Sequence, residues 1–164
     1  MLSCLFKYKA WANDELLSAM ETLDPSTHAD ERHAAIRIFN HTWVVDRIFA
    51  AHLTGSTHGH EDTNTTDTPT LDALRAQVEA SDRWYVDYAG SLAPAQLSEA
   101  ITFRFTDGGG GRMTREEMLI HVALHGGYHR GAIGRILAQL SIAPPRDIFT
   151  AYLHQAEPER RGQA

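Results

Sequence analysis

An all-α fold is what this sequence predicts: a four-helix bundle with a short extended arm before its last long helix. Three observations carry that expectation. Four long segments repeat apolar residues at three- and four-residue intervals, the spacing of one helical face. Each segment ends at a recognisable stop or starts at a recognisable cap. Finally, 164 residues suffice for one domain, taken as 1–164, and no internal repeat suggests otherwise.

The first helix is expected from Leu2 to Leu23, ending at Asp24-Pro25 because proline cannot continue a helix cheaply. The second runs from Asp30 to Thr54, with Gly55 placed as a C-cap. The polar run STHGHEDTNTTDTPT after it reads as a mobile loop. Thr70 is a suitable N-cap for the third helix, which extends to about Ala89 with Leu71, Leu74, Val78 and Tyr85 on one face. In the crossover that follows, Ile101, Phe103 and Phe105 alternate with Thr102, Arg104 and Thr106, a strand-like arm, and Gly108–Gly111 reads as a turn or hinge. Thr114 and Glu117 form a capping box for the fourth long helix, which ends near Leu140, before Pro144-Pro145. A shorter helix over Asp147–Leu153 and a frayed end over Gln155–Ala164 complete the chain.

Composition narrows the function. The formal net charge is −6 and no Lys/Arg stripe is present, which argues against nucleic acid as a partner. No apolar run is long enough for a membrane span. Lys7, Lys9, Asp14 and Glu15 interrupt the N-terminal apolar stretch, as in an amphipathic helix and unlike a signal peptide. Cys4 is the only cysteine, so no disulfide framework or Cys-rich zinc site is expected and a cytoplasmic location is the default. Cys4 has no partner that would make it a nucleophile, and paired Glu-x-x-His motifs of a di-iron bundle are absent.

The compositional oddity is ten histidines, three of them in HVALHGGYHRGAIGRIL from His121 to Leu137. At about 100° per residue, His125 and His129 fall near the centre of the stripe made by Met118, Val122, Ile133, Ile136 and Leu140, and His121 at its edge. On the second helix Ala34, Ile38, Val45 and Ile48 form an inward stripe with His41 in its middle and His52 further along, while Asp46 points elsewhere and is not assigned as a ligand. Inward imidazoles must be hydrogen-bonded or bound to something. The pair at i and i+4 is either a set of satisfied core residues or two ligands of one ion, and a third inward histidine on another helix favours the ion. His121 is expected to support the ligands from behind. His28, His33, His58, His60 and His154 are expected on the surface.

The same segment resembles the His-x-x-x-His-x-x-x-His-Arg-Gly-Gln motif of the DinB/YfiT-like family. The likeness extends to YKAWANDELL near the N-terminus and to FNHTWVVDRIFAAHLTG on the second helix, in the same order along nearly the whole chain. It implies a bundle of up-down-down-up connectivity and a divalent metal held by His41, His125 and His129. Ala132 stands where the family usually carries glutamine after Arg-Gly, so whatever that glutamine contributes is missing. Several members of the family are thiol-dependent transferases or isomerases, and many have no known activity. The expectation is therefore a metal-dependent transferase joining a low-molecular-weight thiol to small electrophiles in stress or detoxification. The alternative is a non-catalytic metal-binding stress-response protein. Zinc or nickel suits imidazole ligands. Arg104 or Arg112 is the candidate contact for a substrate anion. Ala123, Gly127, Gly131, Gly134 and Ala138 form a small-residue stripe opposite the histidines, which either the first helix covers or a second copy covers in a homodimer.

Overall fold

Local signals place the long helices nearly where the periodicity puts them. The computed structural model describes residues 1–162 and is mostly helical, with one two-stranded sheet. Four long helices, α1 (Leu2–Glu21), α2 (Ala29–Thr54), α3 (Leu71–Ser91) and α5 (Arg115–Gln139), are accompanied by two short ones, α4 (Pro94–Leu97) between α3 and the hairpin and α6 (Phe149–Ala156) after α5. A single 3-10 turn lies at Pro158–Arg160. Gly55 caps α2 at φ 69°, a left-handed conformation that glycine adopts without strain. Thr70 accepts the Ala73 amide at the start of α3. The capping box of α5 is closed in both directions, Thr114 Oγ1 accepting from the Glu117 amide and the Glu117 carboxylate from the Thr114 amide. No helix among the described residues is long and apolar enough to cross a membrane.

The long helices form a ring, with α1 against α3 and α5, and α2 against α3 and α5. Contacts along their lengths give their directions. Lys9 meets Asp46 and Arg32 meets the Met20 carbonyl, so α1 and α2 run oppositely. Tyr85 donates to the Asp46 carbonyl and Tyr88 to the Leu53 carbonyl, so α2 and α3 run the same way. The core is split. Leu17, Met20, Phe39, Leu74, Ile133 and Leu137 fill one end, and Phe6, Phe49, Tyr85, Met118, Leu119 and Val122 the other.

Between the two lies a polar layer that the periodicity does not foretell. Lys9, 1% exposed, donates to Asp46 at 2.6 Å and to Asp82 at 2.8 Å. Asn13 Nδ2 also reaches Asp82, and its Oδ1 accepts from Arg130, which donates in turn to Asp147 at 2.9 Å. These partners account for why four charged side chains, Lys9, Asp46, Asp82 and Arg130, can be buried at all.

Several expectations need correction. The extended arm is half of a hairpin: β1 (Ala100–Arg104) pairs antiparallel with β2 (Gly110–Thr114), so part of the supposed hinge is a strand. The last helix starts at Phe149, not Asp147, because Ile148 is extended (φ −130°, ψ 119°) and stands as its N-cap, while the Asp147 carboxylate meets Tyr8 and Arg130. It also runs on to Ala156, into the segment expected to fray, while Gln163 and Ala164 lie outside the described residues. The buried line on α5 runs through Met118, Leu119, Val122, Gly126, Arg130, Ile133 and Leu137, so Met118, Val122 and Ile133 are buried as expected but the line as a whole lies about 45° round from the expected stripe. Ile136 and Leu140 are only half-buried. The first helix does not cover the small-residue stripe. It packs instead at Gly126, where an added Cβ would lie 3.4 Å from Lys9 Cε, whereas Gly131 faces open space and Gly134 faces Pro144.

Candidate metal centre

The register of the α2–α5 contact brings together three side chains distant in sequence. His41 enters from α2, and His125 and His129, one helical turn apart, from α5. Nε2 of His125 lies 3.1 Å from Nε2 of His41 and 3.0 Å from Nε2 of His129. Ligand atoms of all three fall within 4.8 Å of one another, the one group of this kind among the described residues. All three rings are half-buried on the flank of the α2–α5 contact, not at the centre of the buried stripe. That flank can be reached from outside, as a reactive site must be.

One hydrogen bond fixes the chemistry. Nδ1 of His41 lies 2.8 Å from the Thr63 carbonyl oxygen. A carbonyl only accepts, so Nδ1 carries the proton and the lone pair sits on Nε2, aimed at the cluster. A proton on His125 Nε2 could serve only one of its two neighbours, and His125 Nδ1 is buried without a partner. Bonds of about 2.0–2.1 Å to one tetrahedral ion would set neighbouring nitrogens about 3.3 Å apart, within a few tenths of what is found. The donor set therefore fits a divalent ion. Burial, together with His129 and His41 close by, pushes His125 down to about 3. Burial and then His41 lower His129 as well, so these imidazoles are neutral and ligand-competent near pH 7.

The Thr63 carbonyl is itself held in place. Arg37 donates to the Thr65 carbonyl at 2.7 Å, Asn40 donates to Thr65 Oγ1 at 2.6 Å, and Asn64 donates to the Arg37 carbonyl at 3.1 Å. The run expected to be mobile is thus pinned along α2, and Arg37, Asn40 and Thr63 belong to the site. The signal for them was a polar Asn beside His41 on an inward-facing helix.

The remaining histidines divide. His121 makes no hydrogen bond to a ligand imidazole; its ring packs on Phe49 at 4.6 Å and lies beside His125 at 5.4 Å. Burial lowers its pKa. His58 and His60 are half-buried, His60 against Trp43, and not free on the surface as expected. Asp46 turns away to Lys9, in keeping with its exclusion as a ligand. Arg104 donates to the Gly108 carbonyl of its own turn, and Arg112 is exposed; neither reaches the histidine cluster.

Comparison with known proteins bears on this geometry. The family model described as DinB family matches residues 1–161. The chain belongs to the DinB family. Neither the curated proteins nor the solved structures yield a match to this DinB chain. Ala132, in the place of the usual family glutamine, is half-buried on α5.

Proposed function

We propose that this DinB-family protein is a metal-dependent transferase that joins a low-molecular-weight thiol to small electrophiles. The observation that carries the reading is the convergence of three Nε2 atoms on a flank where His41 and His125 also line a chamber of about 330 Å³. The ligands are His41, His125 and His129, and zinc or nickel is the ion their chemistry favours. Bound there, a divalent ion supplies Lewis acidity and lowers the pKa of a thiol that reaches it. In the transfer the sulfur forms a bond to the electrophilic carbon, the leaving group departs with its bonding electrons, and the thiol proton passes to solvent or to a neutral imidazole. His41, held by Thr63, orients the donor set. The apolar wall of the chamber lowers the number of waters around the electrophile.

The ring of helices is read as the four-helix bundle in up-down-down-up order, with the Gly55–Thr70 segment long enough to carry the chain back for α3 to run parallel to α2. The setting is read as cytoplasmic, with electrophile stress as the demand on it and a homodimer as the working form.

The experiment is metal content of untagged protein by mass spectrometry, beside a His125→Ala/His129→Ala variant. About one ion per chain in the wild type and almost none in the variant supports the site, and thiol-transfer assays then test the activity. An empty wild type overturns the metal reading. Metal without turnover across a panel of thiols and electrophiles favours the non-catalytic metal-binding alternative.

A further inference from the structure

The chamber beside the triad has a composition that selects its occupant. Val45, Ile48 and Phe49 of α2 form its floor. The hairpin roofs it with Phe103, Phe105 and Met113, because alternation on paired strands puts these on one face and Thr102, Arg104 and Arg112 on the other. Gly111 makes that roof possible. A Cβ there would lie 2.5 Å from Phe103 Cζ and 2.9 Å from Phe105 Cε2, so only glycine lets the two rings lie across β2. No Asp, Glu, Lys or Arg lines the chamber. Its polar groups are Thr63, Thr106 and imidazoles, and two of those, His52 and His121, make no hydrogen bond among the described residues. At about 330 Å³ it lies at the small end of ligand-sized cavities.

We propose that this chamber binds the uncharged aromatic part of a small organic ligand, with His52 and His121 offering hydrogen bonds to a single polar substituent. A charged substituent buried against the apolar wall is disfavoured, because away from the ion's site a carboxylate or sulfonate would lose its water with no cationic side chain to replace it. Aromatic edges from Phe49, Phe103 and Phe105 reward a planar apolar group instead. That this ligand is the electrophile of a thiol transfer rests on the function proposed above, whereas the binding itself does not.

The test is calorimetric titration with 2-naphthol and with naphthalene-2-sulfonate, on the wild type and on three variants. His129→Ala removes a ligand of the ion without touching the chamber wall. Phe105→Ser alters a side chain already 48% exposed and leaves the fold intact. Gly111→Ala pushes the two phenylalanines into the cavity. The expected result is 2-naphthol affinity equal within about threefold in wild type and His129→Ala, about tenfold weaker in Phe105→Ser and Gly111→Ala, and, in His129→Ala where the ion has lost a ligand, about tenfold weaker for the sulfonate than for naphthol. Naphthol binding that neither roof variant changes, or sulfonate binding to His129→Ala as tight as naphthol, overturns the proposal. The two readings fail separately. Naphthol binding to a wild type that carries no metal sustains the chamber and removes the metal, and a metal-loaded wild type that ignores naphthol does the reverse.

Discussion

His41 donates its Nδ1 proton to the Thr63 carbonyl at 2.8 Å, and this bond decides which nitrogen of the ring faces His125. The bond depends on a loop that Asn40 and Arg37 hold against α2. Asn40→Ala frees the loop without touching a ligand. Its expected effect is a loss of metal affinity of about 10–100-fold, the usual consequence of removing a group that orients a ligand. Competition against a chromophoric chelator measures it. Unchanged affinity would show that Arg37 holds the loop, and with it the His41 ring, without Asn40.

The layer around Lys9 makes a prediction about stability. Lys9→Met leaves Asp46 and Asp82 buried without their cation, and loss of one partner of a buried ion pair costs about 3–5 kcal/mol. Urea denaturation should show that loss, and a Lys9→Met/Asp46→Asn/Asp82→Asn variant should recover much of it by removing the stranded charges. A single variant as stable as the wild type would mean that water reaches the layer.

The imidazole cluster sets a pH dependence for the metal-free protein. Burial and the neighbouring histidines hold His125 at about 3 in the folded chain, against an ordinary 6.5 when unfolded. The unfolded state therefore binds more protons between those values. The stability tied to neutral His125 is complete above pH 6.5 and is lost as pH falls from there toward 3. Melting temperature against pH should fall more steeply below pH 6.5 for the wild type than for His125→Gln. Parallel curves would place His125 in water.

What the sequence made legible was local. Caps, prolines and periodicity located four long helices. Arithmetic at about 100° per residue put His125 and His129 on one face of the last long helix and His41, with His52, on an inward stripe of the second. The family resemblance picked out the three that the structure brings together. What stayed hidden depended on partners far along the chain. Lys9 and Arg130 carry charges that a helical wheel assigns to solvent, and only Asp46, Asp82, Asn13 and Asp147 from other segments make their burial tolerable. Their omission, with that of Gly126, displaced the expected stripe on α5 and put His125 and His129 at its centre instead of on its flank. The second strand escaped notice because Gly-Gly-Arg-Met-Thr has no alternation to announce it; Gly111 is there to accommodate Phe103 and Phe105.

The outer face of α5 supplies the last prediction. Leu124 is 69% exposed and Tyr128 76%, one turn apart, with Ile120 a turn before them and Gly131, which has no neighbour, a turn beyond. Apolar side chains beside a small-residue opening suit a self-complementary contact, in which each copy lays its leucine and tyrosine against the same face of the other. The homodimer proposed for this chain is placed there. Sedimentation velocity at micromolar concentration should find a dimer for the wild type and a monomer for Leu124→Glu. The melting temperature of the isolated chain and its metal content should be kept, because Leu124 supports neither the core nor the triad. A monomeric wild type removes the dimer, and a dimer that survives Leu124→Glu moves its interface to another face.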